Sequence, residues 1–214
     1  MPDADLAGRL RRLENLENEL IHKGVQSIGP NAAIHQTDLF LLGALRRTLA
    51  QSRGFRDLIS ARNFPCAAAI LRLQLDTAMR VNALSLIHDV ENACRAVLNG
   101  EQFNRLKDRD RIKMSDAHLL RKLAESHPWA SKVYKETSDF VHLSGRHFIS
   151  SIARADDATR TVHFQISGED PRRPEEDYFE AVDAFFEATK LSGTLILACW
   201  MTIHPPNGER ADTN

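Results

Sequence analysis

The chain has 214 residues, a formal net charge of −1 at neutral pH, and 43% hydrophobic against 27% charged residues. This balance allows a buried core, and it excludes a strongly basic surface of the kind that binds nucleic acid regardless of sequence. The longest apolar run is too short to span a bilayer and the N-terminus lacks a signal-peptide pattern, so we expect a cytoplasmic protein without a membrane segment.

Hydrophobic residues recur at spacings of three and four along most of the chain, which predicts amphipathic helices. The first helix carries regularly spaced leucines with charged residues between them. The third helix is apolar on most sides, which is typical of a helix at the centre of a bundle. The predicted helices cover residues 5–22, 37–62, 65–88, 89–98, 115–126, 129–144 and 175–203.

The pattern changes before the last helix, where β-forming residues flank a polar turn at residues 156–159. This alternation predicts a β-hairpin at about 147–167. We therefore expect a mainly α protein, a helical bundle of about five to seven helices with a small β-hairpin before the last helix. The expected units are an N-terminal amphipathic helix at 1–24, a single helical-bundle domain at 31–204 and a disordered tail at 205–214.

A stripe of charged residues crosses the apolar third helix. Arg72, Asp76 and Arg80 are spaced by four and therefore share one helix face. Charges on such a helix are expected to be partly buried, and a single carboxylate leaves one positive charge unbalanced. Two interpretations stay open: a structural network completed by another protein group, or a site that binds an anionic ligand.

A second polar cluster lies near the end of the following predicted helix. Tyr134, Ser138 and His142 are spaced by four and share one face, with Ser144 and Arg146 directly after them. The histidine is a candidate general base, and the tyrosine and serine hydroxyls are candidate donors or nucleophiles. Arg146 is a further candidate for anion binding. The alternative is structural, with the tyrosine and histidine anchoring the helix and Ser144 helping to end it.

The sequence contains no pair of ligands with the spacing of a metal site, so we expect neither a metal ion nor another cofactor. Its three cysteines, Cys66, Cys94 and Cys199, lie far apart and have apolar neighbours. This predicts three small buried side chains rather than a disulfide framework.

Two segments carry a resemblance to a known family. Residues 62–80 place an arginine–acid pattern on a central helix, and Tyr134-x3-Ser138-x-Phe140-Val141-His142-x-Ser144 follows later in the chain. Together they resemble an uncharacterised family of bacterial helical bundles that is similar to the HEPN superfamily. The resemblance implies a bundle of four or five helices, often dimeric, associated with RNA cleavage, toxin–antitoxin pairs or phage defence.

HEPN ribonucleases use an arginine followed at a short spacing by a histidine, and Arg111 with His118 and Arg121 with His127 fit that spacing. In a ribonuclease of this kind, His142 or His127 would act as general base toward a ribose 2′-hydroxyl. We expect a non-catalytic binding or dimerisation module. The alternative is a metal-independent ribonuclease, or a toxin or phage-defence protein acting on RNA. The expected partners are accordingly a second copy of the chain, RNA or another protein.

Overall fold

The computed structural model describes residues 5–29, 32–170 and 172–205. Within these ranges the chain forms eight α-helices and one two-stranded antiparallel hairpin, which confirms the predicted mainly α bundle with a hairpin before its last helix. The elements are α1 (Leu6–Ser27), α2 (Gln36–Ser60), α3 (Phe64–Ala83), α4 (Val90–Leu98), α5 (Asp116–Ala124), α6 (Trp129–Val141), α7 (Gly145–Ser151), β1 (Ile152–Asp156), β2 (Thr161–Phe164) and α8 (Glu175–Ile203).

The helix starts follow local hydrogen-bonding chemistry. Asp5 caps α1 by accepting a hydrogen bond from the N–H of Gly8 at 2.7 Å. Asn63 and Ser115 cap α3 and α5 in the same way. Each cap satisfies a backbone N–H that has no partner inside its own helix, which fixes where the helix begins.

The helix α3 lies at the centre of the bundle, as its apolar sequence predicts, and packs against α2, α5, α6 and α8. The core between α2, α3 and α8 contains the stacked rings of Phe55 and Phe185, whose centroids are 3.9 Å apart. Leu75 and Trp200 are fully buried in the same core. This packing holds α3 rigidly and so positions its charged stripe.

The helix α1 packs along α8 and buries Leu13, Leu16 and Leu20. Glu17 on the same helix receives a two-point ion pair from Arg56 of α2, at 2.9 and 3.0 Å. The division into units at 1–24 and 31–204 stays a prediction. Residues 1–4 of the first unit and 206–214 of the predicted tail lie outside the described residues.

The segment after α6 differs from the prediction. The helix α6 ends at Val141, three residues earlier than expected, and residues 145–151 form the helix α7 instead of the first part of the hairpin. The reason is a cap: the Oγ of Ser144 accepts a hydrogen bond from the N–H of Arg146, and the Nδ1 of His147 accepts one from the N–H of Ser144. This pair starts a new helix where the sequence pattern predicted a strand.

Candidate functional site

The charged stripe of α3 is a connected network in the structure. One carboxylate oxygen of Asp76 faces both arginines: it accepts a hydrogen bond from Nη1 of Arg80, and it lies 3.7 Å from Nη1 of Arg72. The side chain of Arg72 is only 10% exposed, and that of Asp76 only 16%. The stripe is therefore largely shielded from water, as expected for charges on a central helix.

A second carboxylate completes this network. Asp116, the first residue of α5, accepts a hydrogen bond from Nη2 of Arg80 at 3.2 Å, and its Oδ2 lies 3.7 Å from Nη2 of Arg72. Two arginines and two aspartates sum to no net charge. The positive charge that the sequence left unbalanced is thus matched by a protein group.

A residue of α6 also contacts this network. The guanidinium carbon of Arg72 lies 3.5 Å from the ring centroid of Tyr134, a stacked cation–π contact. The two predicted clusters thus share one open cleft of about 290 Å³, which we name the Arg72 cleft. Its lining residues are Arg72, Leu73, Asp76, Asp116, Tyr134, Ser138, Val141 and His142.

The two serine hydroxyls near the cleft donate hydrogen bonds to backbone carbonyls. The Oγ of Ser138 donates to the carbonyl of Tyr134 at 2.6 Å, and the Oγ of Ser144 donates to the carbonyl of Asp139 at 3.0 Å. His142 is exposed and makes no hydrogen bond or ion pair with the part of the chain that the structure describes. The described residues therefore hold no serine–histidine hydrogen bond of the kind that activates a nucleophile.

Three predicted site residues lie outside the cleft lining. Arg80 reaches the network through both aspartates but lines two neighbouring depressions. Ser144 caps α7. Arg146 contacts Asp139 at 3.7 Å and lies 5.3 Å over the ring of Phe140, beside a different cleft. Arg146 is therefore not brought together with the other predicted anion ligands.

His118, which follows Arg111 at the spacing of the HEPN motif, makes contacts that stabilise the fold. Nη2 of Arg121 lies 2.9 Å from Nδ1 of His118, so the ring proton is on Nε2, which donates to Asp108 at 2.8 Å. Burial raises the pKa of Asp108, but hydrogen bonds from the N–H of Ile112 and from His118 outweigh it, and the net pKa is lowered. The pair joins the turn before α5 to α5 itself, away from the cleft.

Among the described residues, no group of three or more histidine, cysteine or acidic side chains is arranged to hold a metal ion. In the same part of the chain, no helix is long and apolar enough to cross a membrane. No protein-family model, curated protein or solved structure matches this chain.

A protruding segment at residues 143–166, which we name the arm, contains α7 and the hairpin. None of the residues in α7, β1 or β2 is buried. The arm is nevertheless rich in large apolar side chains, each between 44% and 97% exposed. These residues, the arm surface, are Leu143, Phe148, Ile149, Ile152, Val162, Phe164 and Ile166.

The sequence located the cleft residues on α3 and α6 but missed two features. The sequence predicts Asp116 only as part of the start of a helix, and no local pattern predicts its contact with α3. The sequence predicts the apolar residues of the arm as strand formers, but their exposure depends on how the hairpin packs relative to the bundle. An excess of apolar residues in a segment too short to form its own core was the available signal.

Proposed function

We propose that this protein is a non-catalytic helical module that self-associates through the arm surface. The observation that carries the proposal is the set of large apolar side chains that α7 and the hairpin leave exposed. Monomeric proteins rarely expose apolar patches of this extent, and larger ones mark interaction sites. A two-stranded hairpin is also marginal on its own and gains stability when another surface covers it.

A second copy of the chain is the occupant that fits best. The seven side chains of the arm surface are each 44–97% exposed and together leave on the order of several hundred Å² of apolar surface open. This is the same order of magnitude as the roughly 800 Å² that each partner buries in an interface of standard size. The arm also carries both signs of charge, with Arg154 and Arg160 beside Asp156 and Asp157. Mixed charge suits a two-fold contact, in which the same patch meets itself.

The cleft supports the non-catalytic part of the proposal. Its arginines and aspartates neutralise one another, and the serine hydroxyls donate to backbone carbonyls. This arrangement is typical of a network that holds three helices together.

The test is the molar mass of the protein measured by light scattering over a range of concentrations. We expect a dimer for the wild type and a monomer for the double variant Ile149→Glu and Phe164→Glu, because both side chains are exposed and the bundle does not depend on them. Val25→Glu changes an exposed apolar residue of α1 and is the matched control, which should remain dimeric. A wild type that stays monomeric at its highest soluble concentration overturns the proposal.

The second candidate function is a HEPN-like, metal-independent ribonuclease, or a toxin or phage-defence protein, that acts on RNA. It is favoured by the placement of His142 and Arg72 at one cleft. His142 would remove the proton of a ribose 2′-hydroxyl, whose oxygen attacks phosphorus while the 5′-oxygen leaves, and Arg72 would hold the phosphate. RNA turnover should then be lost in His142→Ala and kept in His163→Ala, which changes an exposed histidine of the hairpin. Equal turnover by wild type and His142→Ala would exclude this role.

A further inference from the structure

The Arg72 cleft contains a hydrogen-bond donor and an acceptor that the described residues leave unfilled. Arg72 is nine-tenths buried, and its guanidinium makes only ion pairs at 3.7 Å and the stacking contact with Tyr134, with no hydrogen bond among the described residues. None of its nitrogens is sealed from solvent. Its donors are therefore accessible from the cleft that Arg72 lines. A ligand carboxylate can therefore reach this donor and accept charge-assisted hydrogen bonds from it.

The acceptor belongs to Asp116. Its Oδ1 receives the hydrogen bond from Arg80, whereas its Oδ2 receives none from the described residues and lies 3.7 Å from Nη2 of Arg72. The side chain of Asp116 is 44% exposed, so a ligand can approach this oxygen. The guanidinium of Arg72 and Oδ2 of Asp116 thus lie side by side at one cleft.

The charge balance selects the kind of ligand. Arg72, Asp76, Arg80 and Asp116 together carry no net charge, so an anion alone would leave the cleft with an uncompensated negative charge. A cation alone would leave an uncompensated positive charge. A ligand that carries one charge of each sign preserves neutrality and fills both the donor and the acceptor.

We propose that the Arg72 cleft binds a small zwitterion, namely an α-amino acid with an apolar side chain. The ligand carboxylate accepts hydrogen bonds from the guanidinium of Arg72, and the ligand ammonium donates to Oδ2 of Asp116. The apolar side chain lies against Leu73 and Val141, which line the same cleft. This binding site is separate from the arm surface and does not depend on self-association.

The experiment titrates the full wild-type chain with three matched ligands and measures their binding by NMR. L-leucine carries both charges, N-acetyl-L-leucine lacks the cation, and L-leucinamide lacks the anion. We expect L-leucine to shift the Nε–H resonance of Arg72 and to bind at least about tenfold more tightly than either derivative, because each derivative leaves one protein group unpaired. Equal affinity for N-acetyl-L-leucine overturns the role of Asp116, and equal affinity for L-leucinamide overturns that of Arg72.

A variant separates the cleft from other surfaces. Asp116→Asn keeps the shape of the side chain and removes the charge. It should weaken L-leucine binding by roughly tenfold and strengthen the binding of N-acetyl-L-leucine, because the cleft then carries one positive charge that an anion alone compensates. Asp57→Asn changes a surface aspartate of α2 and should leave the L-leucine affinity unchanged. Circular dichroism verifies that each variant is folded. Absence of L-leucine binding to the wild type, or shifts confined to the arm, overturns the proposal.

Discussion

Arg80 donates a hydrogen bond to Asp116 at 3.2 Å, and this contact joins the charged stripe of α3 to the first residue of α5. The bond converts a row of charges on one helix into a network between two helices. Asp76 and Asp116 both pair with Arg72 and Arg80, and Asp76 is the more buried of the two carboxylates.

Replacing Asp76 by asparagine should therefore destabilise the protein by about 3 kcal/mol, since it leaves two largely buried arginines with one half-exposed carboxylate. Urea unfolding followed by circular dichroism measures this change. The control is Asp57→Asn, which breaks the pair with Arg53 on the exposed side of α2 and should cost at most about 0.5 kcal/mol. Equal stabilities for the two variants would show that the network contributes nothing to folding.

Helical periodicity was sufficient to place Arg72, Asp76 and Arg80 on one face and Tyr134, Ser138 and His142 on another. It could not show that the two faces meet, because their approach depends on how α6 packs against α3. Asp116 was not predicted for the same reason: a contact between distant segments leaves no mark on local spacing. The sequence did not predict the start of α7 because, although Ser144 is a typical N-cap residue, the third helical position holds His147 in place of the glutamate or glutamine of a capping box.

The close packing of α1 against α8 depends on the absence of a side chain at Gly193. A Cβ atom there would lie 2.3 Å from Cδ2 of Leu20, well inside van der Waals contact. Gly193→Ala should therefore destabilise the protein by about 2 kcal/mol through overpacking, despite the higher helix propensity of alanine. The free energy of unfolding from urea titration provides the measurement.

Gly54→Ala in α2 is the matched control, because no described atom beyond its two chain neighbours and the backbone of its own helix lies within 4 Å of the Cβ that it would add. This substitution should stabilise the protein by about 0.5–1 kcal/mol through helix propensity alone. Changes of opposite sign in the free energy of unfolding for the two glycine substitutions would establish that α1 packs as described. A stabilising Gly193→Ala would contradict the contact between α1 and α8.

Stability should fall in acid partly because of Glu91, which caps α2 from α4. Its carboxylate accepts hydrogen bonds from the N–H groups of Gln36 and Thr37 and from the Thr37 hydroxyl, at 2.8, 3.1 and 2.9 Å. Burial raises the pKa of Glu91, but these three hydrogen bonds outweigh it and the net pKa is lowered from its ordinary value of 4.5. The stabilisation is therefore present above pH 4.5 and is lost as the pH falls through the lowered value.

Glu91→Gln should reduce stability at neutral pH by about 1 kcal/mol and make the decline in acid less steep. Urea unfolding at several pH values between neutral and acid tests both effects. Part of the decline should remain, because Asp108 also has a lowered pKa in the folded protein. Glu187→Gln, on the surface of α8, is the control and should leave the pH dependence unchanged. An identical pH dependence for Glu91→Gln and wild type would refute the capping role.

The three cysteines should differ in reactivity. The sequence-based expectation of three buried thiols is confirmed for Cys94, is wrong for Cys66, and is not met in full by Cys199, which is half-buried. Cys66 is exposed because it lies in the first turn of α3, before the helix enters the core, whereas Cys94 is buried. Burial raises the pKa of the Cys94 thiol to about 11 and also raises that of Cys199.

Alkylation requires the thiolate and access to solvent, so iodoacetamide at about pH 8 should modify Cys66 first, with Cys94 reacting roughly a hundredfold more slowly. Mass spectrometry of a time course should therefore show one rapid addition to the wild type. Cys66→Ser should remove that rapid addition, and unfolding in urea should make the remaining thiols react at a common rate. Rapid modification of Cys94 in the folded chain would mean that α4 opens readily, which contradicts its place in the packed core.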